Sequence, residues 1–272
     1  MKKHLNFKRL FHHFFLLLLL TLANLTVYSQ NKWKLVWNDE FDKSSVDTTK
    51  WSFQFGNGAP ELPGWGNNEL QFYQPQNASV SNGILTISAK KEAFGGFSYT
   101  SARMRTINKG DWKFGKIVAR IKLPKGKGMW PAFWMMPTDN IYGGWPQSGE
   151  IDIMEFHGDN IQKVYGTCHY GPPWPKNLNK GDSVTIPAGN FSETFHDFSL
   201  EWKKDTLQWF VDNRQYFIVT KKDIASSNWP FNEKFHIILN CAVGGNWPGN
   251  PDSSTTFPQT MQVDYVRVYA KE

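Results

Sequence analysis

Residues 149–156 read Gly-Glu-Ile-Asp-Ile-Met-Glu-Phe and place three carboxylates within six positions, with apolar side chains between them. The apolar side chains would bury the segment, which argues against an edge strand with a solvated acidic face. Side chains of a strand alternate between two faces, so Glu150 and Asp152 share one face and Glu155 falls on the other. Bringing all three acids together therefore requires an irregularity in the strand.

A β-bulge would supply that irregularity. One extra residue, Ile153 or Met154, bulged out of the ladder would return Glu155 to the face of Glu150, and such bulges cluster beside active sites. Burying adjacent carboxyl groups costs free energy and raises their pKa through desolvation and mutual repulsion. Such an arrangement is typical of enzyme sites, where the raised pKa serves the reaction. We therefore expect a bulged strand that gathers three acids into a catalytic site.

The three acids suit glycoside hydrolysis, which uses two carboxyl groups flanking the scissile bond. A retaining mechanism places these groups about 5–5.5 Å apart. Four effective strand positions separate the Cα atoms of Glu150 and Glu155 by roughly 13 Å, so the two side chains must lean together on a concave sheet. Asp152 between them would hold a proton in the network and keep one glutamate neutral as the acid.

Alternating apolar residues predict strands through nearly the whole chain. In 116–123 the odd positions are apolar, in 195–203 the even positions are expected to face inward, and 207–211 and 216–220 flank a turn-forming segment. No stretch shows a sustained helical period of apolar residues. Many short strands with Gly and Pro turns are typical of a β-sandwich or barrel.

The segments around the acidic stretch narrow the interpretation. Residues 128–137 read Gly-Met-Trp-Pro-Ala-Phe-Trp-Met-Met-Pro, residues 144–149 read Gly-Trp-Pro-Gln-Ser-Gly, and residues 239–249 read Leu-Asn-Cys-Ala-Val-Gly-Gly-Asn-Trp-Pro-Gly. These motifs closely resemble the bacterial laminarinases, endo-1,3-β-glucanases of glycoside hydrolase family sixteen, over about residues 33–269. The resemblance implies an all-β fold: a concanavalin-like β-jelly-roll sandwich of two curved antiparallel sheets, with a substrate cleft across the concave sheet.

The same resemblance implies roles for the acids. Glu150 would attack the sugar and form a covalent glycosyl-enzyme, and Glu155 would protonate the departing oxygen and then activate water. Asp152 would assist through hydrogen bonding and electrostatics. The chemistry of two carboxyl groups alone does not say which glutamate attacks.

Aromatic and polar residues in the motifs resemble the sugar-binding residues of the family. The chain contains 13 Trp, and a loop Trp offers a flat apolar face to a sugar ring. Several Trp lie in Gly- or Pro-containing loops: Trp65, Trp130, Trp145, Trp174, Trp229 and Trp247. The resemblance implies these cleft residues: Asn68, Arg103, Trp130, Trp134, Trp145, His169, Asn246 and Trp247. Arg105 falls on the same strand face as Arg103, so it is an alternative cleft residue. For His169 the alternative is a purely structural role. Trp in or beside alternating strands are expected in the core: Trp37, Trp51, Trp112, Trp202 and Trp209.

No cofactor is expected for catalysis, since glycoside hydrolysis needs no metal. His157, Asp159 and His169 lie close in sequence, but their spacing is not that of metal ligands on one element.

A structural calcium ion on the convex face is a separate expectation. The family resemblance implies it, with Glu40, Gly83 and Asp264 at the matching positions, and oxygen ligands suit Ca²⁺. A surface salt bridge is the alternative role for Asp264.

Residues 1–30 are typical of a secretory signal peptide. Four Lys/Arg precede an apolar run over 14–20, which is too short for a comfortable membrane span; a retained anchor is the alternative. We expect a catalytic domain over 31–272 that is secreted to the periplasm or medium as a monomer, without membrane association after cleavage. In that oxidising environment Cys168 and Cys241 either form a disulfide or remain buried thiols, and the sequence leaves both open.

The charge of the chain gives no reason to expect a nucleic-acid partner. The formal net charge is +6, but residues 1–30 contribute four positive charges and no negative ones, which leaves +2 for the remainder. A nearly neutral domain does not predict binding to nucleic acid or to an anionic membrane.

The sequence therefore predicts a secreted, retaining endo-hydrolase of β-1,3-glucan, whose partner is a polysaccharide. One alternative keeps the fold and changes the sugar to mixed-linkage glucan, agar, porphyran or carrageenan. Enzymes for sulfated galactans would be expected to carry more Arg and Lys in the cleft. Another alternative is a glucan-binding lectin, although lectins on this fold lose the catalytic acids, and all three acids are present here.

Overall fold

The structure is a computed structural model that describes residues 33–224 and 227–272. The predicted signal peptide lies outside the described residues. Two large sheets form most of the described chain, and all their described strand pairs are antiparallel. None of the helices in the described ranges is both long and apolar enough to span a membrane.

One sheet carries the acidic stretch and is named the site sheet. Its eight strands, in spatial order, are β13 (Leu178–Thr185), β12 (Lys163–Tyr170), β11 (Glu150–Phe156), β10 (Met129–Pro137), β17 (Phe235–Val243), β7 (Arg103–Arg105) and β2 (Ser52–Gln54), with β8 (Asp111–Trp112) paired to β17. The acidic stretch is thus a strand in the middle of a sheet, with neighbours on both sides.

The other sheet is named the back sheet. Its eight strands, in spatial order, are β16 (Arg214–Thr220), β15 (Thr206–Val211), β14 (His196–Lys203), β9 (Gly115–Lys122), β18 (Gln259–Lys271), β5 (Ile84–Ala89) and β4 (Ala78–Ser81), with β1 (Trp33–Asp39) paired to β18. A parallel pair, β3 (Gln71–Tyr73) with β6 (Tyr99–Ser101), and four 3-10 helices complete the described elements: Pro63–Gly66, Pro75–Asn77, Lys221–Ile224 and Pro230–Asn232.

The hydrophobic core lies between the two sheets. The alternation predicted for β9 is confirmed, because Ile117, Ala119 and Ile121 are all completely buried. On β14, Phe198 and Leu200 are buried in the same way. The predicted hairpin is confirmed as well, since two turn residues with left-handed backbone join β15 to β16. The all-β sandwich expected from the sequence is therefore the observed fold.

Most tryptophans predicted to be structural lie in the core. Trp51, Trp202 and Trp209 are completely buried, and Trp37 and Trp112 pack against the core from partly buried positions. Trp229 differs from the expectation for a loop residue. It is 5% exposed and packs edge-on against the ring of Phe231, because Pro230 and its neighbours fold back into the core.

The two cysteines are buried free thiols. Cys168 is on β12 and Cys241 is on β17, and two strands lie between these in the site sheet. Strands are spaced about 4.8 Å apart, so the two Cα atoms are separated by at least about 14 Å, well beyond disulfide reach. Burial raises the pKa of the Cys168 thiol to about 12, which keeps it protonated.

Candidate active site

Strand β11 contains the predicted bulge. Asp152 lies opposite Trp134 of β10 and Glu155 lies opposite Ala132, so three steps along β11 match two steps along β10. The extra residue restores the side-chain parity that a regular strand would have broken. Glu155 therefore shares the outward face of the site sheet with Asp152.

The bulged residues belong to the core. On the β12 side the pairing skips Ile153 and Met154, which together occupy the space opposite Gly166. Both side chains are essentially buried and form part of the core between the sheets. Apolar packing thus anchors the bulge from behind while the acids project from the front.

Glu150 accepts a strong hydrogen bond. The indole Nε1 of Trp145 donates to Glu150 Oε2 at 2.7 Å. His169 lies directly across the ladder on β12, with its Nε2 3.9 Å from Glu150 Oε1 and 3.3 Å from Asp152 Oδ2. Burial opposes a charged imidazole, but these carboxylates outweigh it and raise the pKa of His169 to about 10. Glu150 therefore faces two groups that stabilise its ionised form.

Glu155 has different surroundings. It accepts one indole hydrogen bond, from Trp130 Nε1 to Oε1 at 3.0 Å. Desolvation raises the pKa of Glu155 well above the ordinary glutamate value, and repulsion from Asp152 adds to the rise. This environment favours a protonated Glu155 near neutral pH.

Desolvation also raises the pKa of the other two acids. Repulsion from Glu150 adds to the effect on Asp152. At Glu150, His169 and the Trp145 hydrogen bond oppose the rise, whereas Glu155 adds to it. Three carboxyl groups this close cannot all ionise, so the cluster retains protons at neutral pH.

Two of the acids and His169 form a group that could hold a metal ion. Among the described residues, the side chains of Glu150, Asp152 and His169 bring ligand atoms within 4.8 Å of one another. His157 and Asp159 are not part of this group. Contacts of 3.9 and 3.3 Å already join the His169 imidazole to the carboxylates of Glu150 and Asp152.

An aromatic cluster lies beside Glu155. The ring of Trp247 packs edge-on against Trp130 at 5.5 Å, against Tyr165 at 5.0 Å and against His157 at 3.9 Å between centroids. Trp247 is 40% exposed, so one part of its ring remains open to solvent. The cluster offers an apolar surface next to the candidate acid.

A second aromatic cluster surrounds Arg103 on β7. Its guanidinium lies 4.3 Å from the ring centroid of Trp65 and 4.7 Å from that of Trp134, and its Nε donates to Gln54 Oε1 at 2.7 Å. The planar cation is thus fixed between two aromatic rings. Arg103 and Trp134 lie on the same face of the site sheet as the acids.

A buried chain of hydrogen bonds supports Trp134. Its Nε1 donates to Asn240 Oδ1 at 2.7 Å, and Asn240 Nδ2 donates to the Tyr73 hydroxyl at 3.0 Å. That hydroxyl donates to Glu69 Oε2 at 3.2 Å. Burial raises the pKa of Glu69, and the nearby Arg103 partly offsets this.

Two loops meet at the rim beside these rings. Asn68 Nδ2 donates to Asn246 Oδ1 at 2.8 Å, and the main-chain N of Asn246 donates to the carbonyl of Asn67 at 2.8 Å. Gly245 has a φ of 119°, and a Cβ there would lie 3.2 Å from the Trp130 ring. A glycine is therefore required for the loop to approach Trp130 this closely.

The sequence profile described as "Glycosyl hydrolases family 16" matches residues 66–267, which is most of the chain. The chain belongs to this family. The beta-glucanase of Rhodothermus marinus is 41% identical over 255 residues, covering 87% of this chain and 85% of the relative.

Two further similar proteins extend the comparison. The glucan endo-1,3-beta-glucosidase A1 of Niallia circulans is 40% identical over 258 residues, covering 88% of this chain; the chain spans only 38% of that relative. The crystal structure of the laminarinase catalytic domain of Thermotoga maritima aligns with a TM-score of 0.83 at 46% identity, covering 89% of this chain and 99% of that one.

The structure brings the predicted family 16 cleft residues together on one face. Trp130, Trp145 and His169 contact the acids directly, Trp134 lies opposite Asp152 on β10, and Arg103 lies two strands farther across the sheet on β7. The remaining predicted residues are at the rim or in the aromatic cluster: Asn68, Asn246 and Trp247. Sequence reasoning gave no role to several residues in these contacts: Gln54, Glu69, His157, Tyr165 and Asn240. Glu69 directly follows Asn68, which the resemblance does place in the cleft.

The residues predicted for calcium lie apart from the acids, in and around the back sheet. Asp264 is on β18, Gly83 lies between β4 and β5, and Glu40 follows β1. A Cβ on Gly83 would lie 4.0 Å from the carbonyl oxygen of Glu40, so these two backbone segments meet. The carboxylate of Glu40 is held bidentately by Arg267, and that of Asp264 by Arg120 at 2.8 Å.

Proposed function

We propose that this chain is an endo-β-1,3-glucanase that hydrolyses laminarin-type glucan with retention of configuration. The observation that carries the proposal is the bulged row of one buried and two partly buried acids, in which Glu150 and Glu155 have unequal surroundings. Two carboxyl groups on one face, one favoured as anion and one as acid, are what double displacement requires.

The surroundings assign the roles. Glu150 faces a cationic His169 and the Trp145 indole, and both favour the carboxylate that attacks the anomeric carbon. Glu155 is desolvated and repelled by Asp152, which favours the neutral acid that protonates the departing oxygen. After departure, Glu155 is a carboxylate that can accept a proton from water as the glycosyl-enzyme is hydrolysed.

Asp152 and His169 influence the charge of both glutamates. Asp152 lies between the glutamates along β11, and its Oδ2 is 3.3 Å from His169 Nε2. The imidazolium compensates one negative charge in a buried site, and Asp152 raises the pKa of Glu155 through repulsion. The pair thus keeps the nucleophile charged and the acid neutral at the same pH.

The substrate class follows from the relatives together with the cleft. The Niallia circulans relative is named as a glucan endo-1,3-beta-glucosidase and the Thermotoga maritima structure as a laminarinase. Aromatic rings lie on both strands that flank β11: Tyr165 on β12, opposite Glu155, and Trp130 and Trp134 on β10. Binding surfaces on both sides suit cleavage within a polysaccharide chain.

The deciding experiment measures reducing-sugar release from laminarin, lichenan, agarose and carrageenan side by side. We expect laminarin to be cleaved fastest, and Glu150→Ser to abolish release while oligosaccharide binding is largely kept, because the nucleophile acts mainly on the transition state. Faster cleavage of lichenan or of a galactan would show that this polysaccharide, and not laminarin, is the preferred substrate. Tight laminarin binding without release by the wild type would favour the lectin.

We propose that any calcium bound by this chain has a structural role only. Glu40 and Gly83 offer main-chain carbonyls and Asp264 offers a carboxylate, but Arg120 occupies that carboxylate, so the donor set is incomplete as it stands. Hard oxygen ligands free of competing cations are what Ca²⁺ requires. Thermal melts of wild type and Asp264→Asn in CaCl₂ and in EDTA test this: a calcium-dependent rise in Tm limited to the wild type would establish the site.

We further propose that residues 1–30 direct export and that the domain acts as a monomer. N-terminal sequencing of protein recovered from periplasm and medium tests the first statement. Light scattering of the purified domain tests the second.

A further inference from the structure

The bulge that aims the acids is contacted from the opposite sheet. Trp209, on β15 of the back sheet, is completely buried, and its indole Nε1 donates to the main-chain oxygen of Asp152 at 2.8 Å. Asp152 is the last residue before the two bulged positions of β11. One side chain of the back sheet therefore crosses the core to bind the backbone where the bulge begins.

The sequence leaves room for this contact on the neighbouring strand. Gly166 of β12 lies opposite the bulge, and a Cβ built on it would lie 2.6 Å from Trp209 Cδ1. It would also collide with the hydroxyl oxygen of Tyr216. Real Cβ atoms do not approach other atoms this closely, so a side chain at position 166 would displace the indole.

Trp209 is itself held by an irregularity of the back sheet. It pairs with Phe217 of β16, whereas the next residue, Phe210, pairs with Gln215, which leaves Tyr216 as an extra residue. The rings of Trp209 and Phe217 pack at 4.7 Å between centroids. The bulge in β16 thus directs both Trp209 and the Tyr216 hydroxyl towards the bulge in β11.

We infer that Trp209 is a positioning residue for the acids of β11. By fixing the Asp152 carbonyl, it sets the backbone offset that returns Glu155 to the face of Glu150. The inference rests on the proposed function, since it assumes that these acids perform the reaction. This positioning role also explains why position 209 carries a buried indole N–H, since a purely apolar ring would fill the core equally well.

Trp202 provides a matched control. It is also a completely buried tryptophan of the back sheet, and its Nε1 donates to a main-chain oxygen, that of Phe231, at 2.6 Å. That carbonyl belongs to the 3-10 helix Pro230–Asn232 before β17 and not to β11. Trp202→Phe and Trp209→Phe therefore each remove one buried indole–carbonyl hydrogen bond, but only the second touches the catalytic strand.

The test compares kcat, KM and Tm of the two variants on laminarin. We expect similar decreases in Tm. We expect kcat of Trp209→Phe to fall about 10- to 100-fold with KM within about threefold of wild type, because catalytic groups tolerate little misplacement. Trp202→Phe should keep kcat within about twofold. Gly166→Ala, which pushes the indole away without removing it, should lower kcat in the same way and serves if Trp209→Phe does not fold.

The inference is overturned if folded Trp209→Phe or folded Gly166→Ala keeps the wild-type kcat while its Tm decreases as much as that of Trp202→Phe. The contact between Trp209 and Asp152 would then contribute to stability alone. Failure of the proposed function gives a different result. If the wild type does not cleave laminarin, the same comparison is made on whichever of the four polysaccharides it does cleave, and the expected loss of kcat is unchanged.

Discussion

Replacing Trp145 with phenylalanine isolates one hydrogen bond at the candidate nucleophile. The indole Nε1 donates to Glu150 Oε2 at 2.7 Å, and this bond lowers the pKa of Glu150 against the effect of burial. Phenylalanine keeps an aromatic ring and removes the donor. The carboxylate then loses stabilisation, so its pKa rises and a larger fraction of the enzyme is inactive on the acidic side of the pH profile.

The expected size follows from the type of bond. A hydrogen bond to a charged group contributes about 1.5–3 kcal/mol. Trp145 is 40% exposed, so water replaces part of the lost interaction and the lower end applies. About 1.4 kcal/mol is a factor of ten in an equilibrium. We therefore expect kcat/KM on the acidic limb to fall by about tenfold, with little change on the plateau.

The assay is the pH dependence of kcat/KM on laminarin. Trp134→Phe is the matched control, because its indole donates to the neutral amide of Asn240 rather than to an acid. That variant should raise KM and leave the acidic limb in place. An unmoved acidic limb in Trp145→Phe, or an equal shift in both variants, would refute the assignment of Glu150 as the nucleophile held ionised by Trp145.

Three further perturbations test other parts of the site. Because burial raises the pKa of Glu155, the wild type should lose activity on laminarin as the pH rises through that pKa. Glu155→Gln should abolish laminarin hydrolysis, yet it should still release the leaving group of an aryl glycoside that needs no acid, without an alkaline limb in the pH profile of that release. Trp247→Ala should weaken oligosaccharide binding in calorimetry with a smaller decrease in Tm than Trp202→Ala, which opens a core cavity and costs about 3–5 kcal/mol. Deleting Met154 removes a buried side chain, at about 2–5 kcal/mol, and the bulge with it. A folded protein with kcat about a hundredfold lower is expected in a thermal melt and rate assay, and an unchanged rate would show that the bulge is incidental.

The sequence contains local signals for much of the fold and for the acids. Alternation assigns Ile117 and Ile121 to the core, and the parity of Glu150, Asp152 and Glu155 demands a bulge that β11 does contain. These features depend on neighbours within a few residues, so single-strand geometry is enough to predict them.

The supporting contacts depend on pairings between distant segments. Trp209 is predicted as a core residue and is one, but its bond to Asp152 depends on how the two sheets pack. Asn240 lies in an apolar segment with no polar neighbour to mark it, and its role appears only when β17 places it between Trp134 and Tyr73. No local pattern records such contacts.

The stereochemistry of the first product tests the central mechanism most directly. Proton NMR of laminarin during the first minutes of hydrolysis, before mutarotation, distinguishes the two anomers of the new reducing end. Double displacement through Glu150 predicts that the β-anomer appears first and the α-anomer accumulates later. Initial appearance of the α-anomer would contradict the account, because Glu150 would then activate water instead of forming a bond to the sugar.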